Sequence, residues 1–301
     1  MDMKRTVMLG TLTILFLSVV LASLVYAVPP RASDVEITPK ITVKGPVAMG
    51  KAAKPPKQAA TGILGDLVTG EKYAIVIGIS DYYGEANDLE YADDDAMDFY
   101  NTLIAAYGFS DENIVLLIDG YATRLNILTA VNNLKETITA YDEVVFFYSG
   151  HGARGKANDG DREATDEAMV PYECTAESLI WDGQLAALFS GFATSRIIFI
   201  FDSCYSGGMT DLKAGGRIVV MACSENGLSY EFESFQNGQF TYYFVEEGIV
   251  AGKADIWDHD ADGSFGEASD VVVEEAFDYA KANCKYQTPT ISDTFTKDLL
   301  P

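Results

Sequence analysis

The chain has 301 residues, 48% hydrophobic and 12% aromatic, which suits a folded core and excludes a disordered or collagen-like chain. Its 21 basic and 45 acidic residues give a formal net charge of −24, the opposite of a nucleic-acid footprint. Four cysteines without a CxxC pair are too few for a disulfide scaffold and wrongly spaced for structural zinc.

The chain opens with MDMKR and an uncharged apolar run from Thr6 to Ala27, closed by Val25-Tyr26-Ala27. A basic head, an apolar stretch and small residues before a cut are the layout of a secretory signal. The run is also long enough to span a bilayer. Residues 1–27 are therefore expected to be a signal peptide or an N-terminal membrane anchor. The rest is expected outside the cytoplasm, secreted or anchored, touching membrane only through this segment. Residues 28–70 hold six prolines and five lysines, with no sustained apolar period. They are expected to be a linker or pro-segment with little regular structure before about Ile63.

From Tyr73 the pattern becomes regular. Short apolar, β-rich runs at 73–79, 113–119, 143–149, 196–202 and 217–223 read as strands buried on both faces. Helical spacing recurs at 93–108, 123–138 and 182–192, and further helices are expected near 240–250 and 270–283. Such alternation gives an α/β domain over 71–301, with a mostly parallel central sheet flanked by helices. In such sheets the chemistry gathers in loops beyond the C-terminal strand ends.

Two of those ends carry reactive side chains. The run VVFFYSGHG ends in His151 between two glycines, and IIFIFDSCYSGG carries Cys204 between an acid and a glycine turn. A thiol near an imidazole can ionise and act as a nucleophile, and His151 and His259 are the chain's two histidines. The glycines let backbone approach a substrate and leave N–H groups for an oxyanion. Cys204 is expected to be exposed in its loop. Cys174, Cys223 and Cys284 lack such a setting and read as structural, and His259, in DHDADG, reads as a solvated loop residue.

These two motifs, with YAIVIGISDYY and LEYADDDA, resemble the caspase-like cysteine peptidases (clan CD) of the metacaspase type and their prokaryotic relatives. The resemblance covers about 71–301 and implies a three-layer caspase-like fold. It implies Cys204 as nucleophile. His151 would position the thiolate, polarise the carbonyl or protonate the leaving amine. The Gly152 and Cys204 N–H groups would bind the oxyanion. Asp202-Ser203 stand where animal caspases have Gln-Ala before the cysteine, which points towards the metacaspase type. With Asp95, Asp202 would line a pocket for a basic P1 side chain, since paired carboxylates favour Arg or Lys.

Two acidic segments are calcium candidates, because hard oxygen ligands suit Ca²⁺. One holds Asp159, Asp161, Asp166 and Glu167. The other, Asp258, Asp260 and Asp262, starts like an EF-hand loop but has Ser269 at the twelfth position. Solvated acidic loops explain both segments equally well. No organic cofactor is expected. Lys213 and Arg217, in the glycine-rich run after Cys204, are candidate self-cleavage sites. The expectation is an exported, monomeric cysteine endopeptidase acting on proteins or peptides with a basic P1 residue, calcium-stimulated and made as a zymogen. The alternative is an inactive caspase-like calcium-binding or interaction module at the cell surface.

Overall fold

The computed structural model describes residues 30–45, 59–160 and 163–301. The expected signal or anchor at 1–27 and the candidate ligand Asp161 lie outside the described residues. No helix among the described residues is long and apolar enough to cross a membrane.

In chain order the elements are β1 (Ala32–Thr38), β2 (Ile41–Val43), β3 (Lys72–Gly78), α1 (Ala92–Ala105), β4 (Ile114–Ile118), α2 (Arg124–Thr137), β5 (Glu143–Ser149), β6 (Gly152–Ala157), β7 (Asp166–Met169) and β8 (Ile180–Trp181). They continue with α3 (Asp182–Phe189), β9 (Ile197–Asp202), β10 (Arg217–Met221), β11 (Tyr230–Phe232), β12 (Asn237–Gly238), α4 (Gln239–Thr241), α5 (Val273–Asn283) and β13 (Thr290–Asp293). A π-helical stretch, Tyr242–Val250, extends α4.

The central sheet has the order β13-β10-β9-β5-β3-β4. All its pairings are parallel except that of β13 with β10. Every residue of β5 and β9 is buried, which is why both read as unbroken apolar runs. Successive side chains point to opposite faces. Ile75, Phe146, Phe199 and Phe201 pack with Val131 of α2 and Leu185 of α3. Val76, Phe147, Ile198 and Ile200 pack with Phe99 of α1 and Phe277 of α5. The result is three layers, helix on sheet on helix, and the mostly parallel α/β architecture read from the sequence.

The segment expected to be irregular contains two strands, a correction to that reading. β1 pairs with β6 in the sheet β1-β6-β7-β8, and Val35 and Ile37 pack on the core. β2 pairs in parallel with β11. Both partners lie far away in sequence, so no local period announces these strands. The run 206–217 is also not a flexible loop. Ser206–Leu212 is a short 3₁₀ helix, and Arg217 is buried at the start of β10. The Arg217 guanidinium donates to the carbonyls of Leu212 at 3.0 Å and Phe189 at 2.7 Å, which removes it as an accessible cleavage site. Lys213 remains exposed.

Gly78 ends β3 where α1 crosses closest. A Cβ there would lie 2.5 Å from the Ala92 carbonyl oxygen and 2.5 Å from the Ala96 Cβ. Gly78→Ala is expected to destabilise the domain by about 1–3 kcal/mol through overpacking, read as a lower urea midpoint. An unchanged midpoint would count against this contact.

Candidate active site

β5 and β9 are neighbouring parallel strands whose last residues, Ser149 and Asp202, stand in register. His151 and Cys204 each follow two residues later, so the sheet delivers both to one edge. Gly152 lies directly on the Cys204 backbone: a Cβ there would sit 1.7 Å from the Cys204 carbonyl oxygen. Only glycine fits, and the candidate base and nucleophile loops are thereby pressed together.

His151 is held through both its ring and its backbone. Its ring stacks on Tyr82 at 4.2 Å between centroids. The His151 N–H donates to the Tyr82 hydroxyl at 2.8 Å, and the Tyr148 hydroxyl donates to the His151 carbonyl at 2.7 Å. Nε2 lies 2.5 Å from the Asn87 carbonyl oxygen, which requires the proton on Nε2. Nδ1 is then the lone-pair nitrogen, and it is buried without a hydrogen-bond partner among the described residues. Burial brings the His151 pKa down to about 4, so the ring is neutral near pH 7 with its lone pair on Nδ1.

Cys204 is 1% exposed, not the open loop thiol expected from the sequence. What covers it is the chain's own N-terminal segment. Its Sγ lies 3.3 Å from the Pro39 carbonyl oxygen and accepts the Ser229 N–H at 3.2 Å. Burial pushes its pKa up to about 12, against the pull of the Ser229 N–H. The thiol is therefore protonated and donates to Pro39.

Beside it, Asp95 and Asp202 converge on one fully buried ammonium, that of Lys40. Lys40 Nζ lies 2.9 Å from Asp95 Oδ2 and 3.3 Å from Asp202 Oδ1, with all three side chains at zero exposure. The ammonium also donates to Ser149 Oγ at 2.6 Å, and that hydroxyl donates on to Asp95. Asp202 accepts from Ser229 Oγ and from the Thr241 amide and hydroxyl, and Asp95 accepts the Gly238 N–H at 2.7 Å. Gly238 closes the pocket wall, since a Cβ there would lie 2.4–2.9 Å from Asp202, Asp95 and Lys40. Burial works against the Lys40 charge, yet Asp202 and Asp95 hold its pKa above the ordinary lysine range. Burial pushes Asp95 up to about 7 although Lys40 pulls it down.

The acidic segment after β6 gathers with residues from elsewhere. Asp159, Asp166 and Asp182 bring carboxylate oxygens within 4.8 Å of one another, as do Glu163, Asp182 and Asp211. Asp182 opens α3, is fully buried, and both its oxygens lack a hydrogen-bond partner among the described residues. Burial, then the Asp159 carboxylate, pushes its pKa up to about 10. An all-carboxylate set around such an acid fits Ca²⁺. Glu167 falls outside both groups and packs against Gly208 instead. Asp258, Asp260 and Asp262 also converge, but their oxygens accept the amides of Asp262, Gly263 and Ser264 in their own loop. His259 is not solvated. Its side chain is fully buried between Glu275 at 3.5 Å and Asp298 at 3.2 Å.

Residues 72–213 match the family model for the metacaspase, peptidase C14 domain. This part of the chain is similar to metacaspase-type, caspase-like domains. It is similar to Metacaspase-1 of Kluyveromyces lactis, 33% identical over 153 residues, covering 48% of this chain and 35% of the relative. Metacaspase-4 of Arabidopsis thaliana is 37% identical over 148 residues, covering 46% and 34%. The chain thus spans about a third of the length of the curated relatives it matches. The crystal structure of protein GSU0716 from Geobacter sulfurreducens shares the fold, with a TM-score of 0.55 at 18% identity, over 76% of this chain and 95% of that one.

Lys40, Glu163 and Asp211 were not singled out in the sequence, and Asp182 read only as a helix-opening acid. The one hint at Lys40 was the basic charge of a segment preceding an acidic domain. A protonated, covered thiol makes a kinetic prediction. Alkylation of Cys204 by iodoacetamide, followed by peptide-resolved mass spectrometry, is expected to quicken about tenfold per pH unit up to pH 9 without levelling. A plateau near pH 7 would contradict a protonated resting thiol.

Proposed function

We propose that this domain is a cysteine endopeptidase that cuts after Lys or Arg. The observation that carries the reading is the Lys40 ammonium held between Asp95 and Asp202 beside the Cys204 thiol. A pocket with two buried carboxylates, three hydroxyls and a glycine wall selects a long cationic side chain and disfavours an acidic one.

The chemistry follows from the groups present. With a substrate's basic side chain in the pocket, its carbonyl carbon stands at Cys204 Sγ. The thiol proton passes to His151 Nδ1, sulfur attacks, and the oxyanion develops toward the Gly152 and Cys204 N–H groups. The tetrahedral adduct collapses, the amine leaves with the proton from His151, and water hydrolyses the thioester. The Asn87 carbonyl fixes the ring tautomer throughout, which suits it to base and then acid duty.

Calcium binding belongs to the same reading. Asp159, Asp166 and Asp182, with Glu163 and Asp211, are the residues that would hold the ion. A bound cation there would neutralise their mutual repulsion. Asp211 lies near the end of the 3₁₀ helix that follows Cys204, so this cluster ties that helix to the loop after β6. We further propose that the protein acts outside the cytoplasm, released or held by residues 1–27, and that self-processing, where it occurs, uses exposed Lys213 in preference to Arg217.

Fluorogenic peptides differing only at P1 test specificity, with Cys204→Ala as the blank. Lys and Arg peptides are expected to be cut, Asp peptides not, and Asp202→Asn is expected to lose about 100-fold or more in kcat/KM on basic peptides. A preference for Asp at P1 would refute the pocket assignment. For the metal, Ca²⁺ at about 100 times its Kd is expected to raise Tm by about 5 °C, and Asp182→Asn to abolish the rise. An equal rise in both proteins would remove Asp182 from the site.

A further inference from the structure

The cover over Cys204 has a direction, and that direction decides what it can do. Cutting after a basic residue needs that residue's own carbonyl carbon at the sulfur, on the N-terminal side of the bond that breaks. Here the basic side chain in the pocket is Lys40, but the carbonyl at Sγ is that of Pro39, the preceding residue. Attack on Pro39 would make Lys40 the leaving amine, which inverts the relation between pocket and scissile bond. The thiol also meets an oxygen as a hydrogen-bond donor, not a carbon as a nucleophile.

The neighbouring contacts hold this polarity. The Ile41 N–H donates to the Ser229 carbonyl at 3.0 Å, and β2 runs parallel to β11 from Ile41 opposite Tyr230 to Val43 opposite Phe232. Thr42 Oγ1 donates to Glu231 at 2.7 Å. Upstream, Thr38 stands in register with Gly152, so β1 lies along the strand that begins at the oxyanion candidate. The Tyr205 hydroxyl lies 3.0 Å from Thr38 Oγ1 and donates to Glu36 at 3.3 Å. Arg154 pairs with Glu36 at 2.9 Å and covers the Tyr205 ring at 4.5 Å. The segment is thus clamped on both sides of Cys204.

We propose that residues 32–43 are a displaceable inhibitor in cis, a lysyl ligand bound to its own pocket with reversed chain polarity, which keeps the thiol covered and is not itself cut at Lys40–Ile41. The proposal rests on the reading of Asp95 and Asp202 as the basic-residue pocket. Activation then requires the segment to leave, by displacement or by a cut elsewhere, and the leaving segment carries Lys40 intact. Its occupant in the active form is a basic side chain of another chain.

The test uses the full chain as wild type, Lys40→Ala and the double variant Glu36→Ala/Thr38→Ala, which loosens the clamp without touching the acids. Cys204 alkylation, resolved by peptide mass spectrometry, is read beside hydrolysis of Lys and Arg peptides, and new N-termini are mapped over time with Cys204→Ala as control. Lys40→Ala is expected to speed alkylation about tenfold or more, the double variant to do so in the same direction, and no fragment to begin at Ile41. Unchanged alkylation in both variants would overturn the cover. A Cys204-dependent fragment beginning at Ile41 would overturn the reversed polarity. Faster alkylation without hydrolysis of any basic peptide leaves the inhibitor standing and sinks the peptidase reading. Equal hydrolysis by wild type and Lys40→Ala leaves the peptidase and sinks the inhibitor.

Discussion

Two carboxylates are buried side by side at the end of a parallel sheet, and Lys40 supplies a cation that faces both. Asp95 comes from the first turn of α1 and Asp202 from the last position of β9, so neither can retreat to solvent without dismantling the fold. The desolvation of each acid is costly, and their mutual repulsion adds to it. Hydroxyls and amides from Ser149, Ser229, Gly238 and Thr241 take up lone pairs but do not neutralise charge. Burial still pushes the Asp95 pKa upward with Lys40 in place. Removing one partner from such a cluster is worth about 3–5 kcal/mol of destabilisation in general, which is why the emptied pocket attracts another cation. The proposed preference for a basic side chain thus follows from burial at this sheet end.

The sheet makes the site rigid. β5 and β9 are buried along their whole length and set Ser149 and Asp202 side by side, which fixes the take-off points of the His151 and Cys204 loops. The glycine at 152 allows those loops to touch, while the Tyr82 ring stacks on the imidazole and its hydroxyl accepts the His151 backbone N–H. The outer strands then form the walls. β6 on one side and β11 on the other flank the thiol. The N-terminal segment uses both edges at once, through β1 and β2.

What was legible in the sequence was what depends on local pattern. Continuous apolar runs announced the central strands, helical spacing announced α1, α2 and α3, and the glycine-flanked His151 and Cys204 stood at strand exits because the runs stopped there. Asp95 and Asp202 were reached through family resemblance, and the structure sets them on one ammonium. Lys40 was hidden because its meaning depends on acids that lie 55 and 162 positions away and on a backbone held by β6 and β11. In a stretch of prolines and lysines, a three-residue strand has no period to detect. Asp182 was hidden for the same reason. It looked like a helix-opening acid, and only the return of the loop after β6 gives it Asp159 and Asp166 as neighbours. Cys204 read as exposed because its sequence shows the turn and not its cover.

A ligand carried on the same chain does not need high intrinsic affinity, because its effective concentration is on the order of millimolar for a short tether. That shifts where the holding energy must come from. If Asp95 and Asp202 alone decided retention, any weakening of the pocket would loosen the cover and the substrate together, and latency could not be adjusted without changing specificity. The Glu36, Thr38, Arg154 and Tyr205 contacts lie outside the pocket and touch only the cover. They let the resting state be made firmer or looser while the two acids keep their preference. The reversed polarity separates the two roles further. A lysine that enters the pocket from the leaving-group side is held by the same charges as a substrate lysine but offers the sulfur no carbonyl of its own, so the inhibitor is not consumed by the site it occupies.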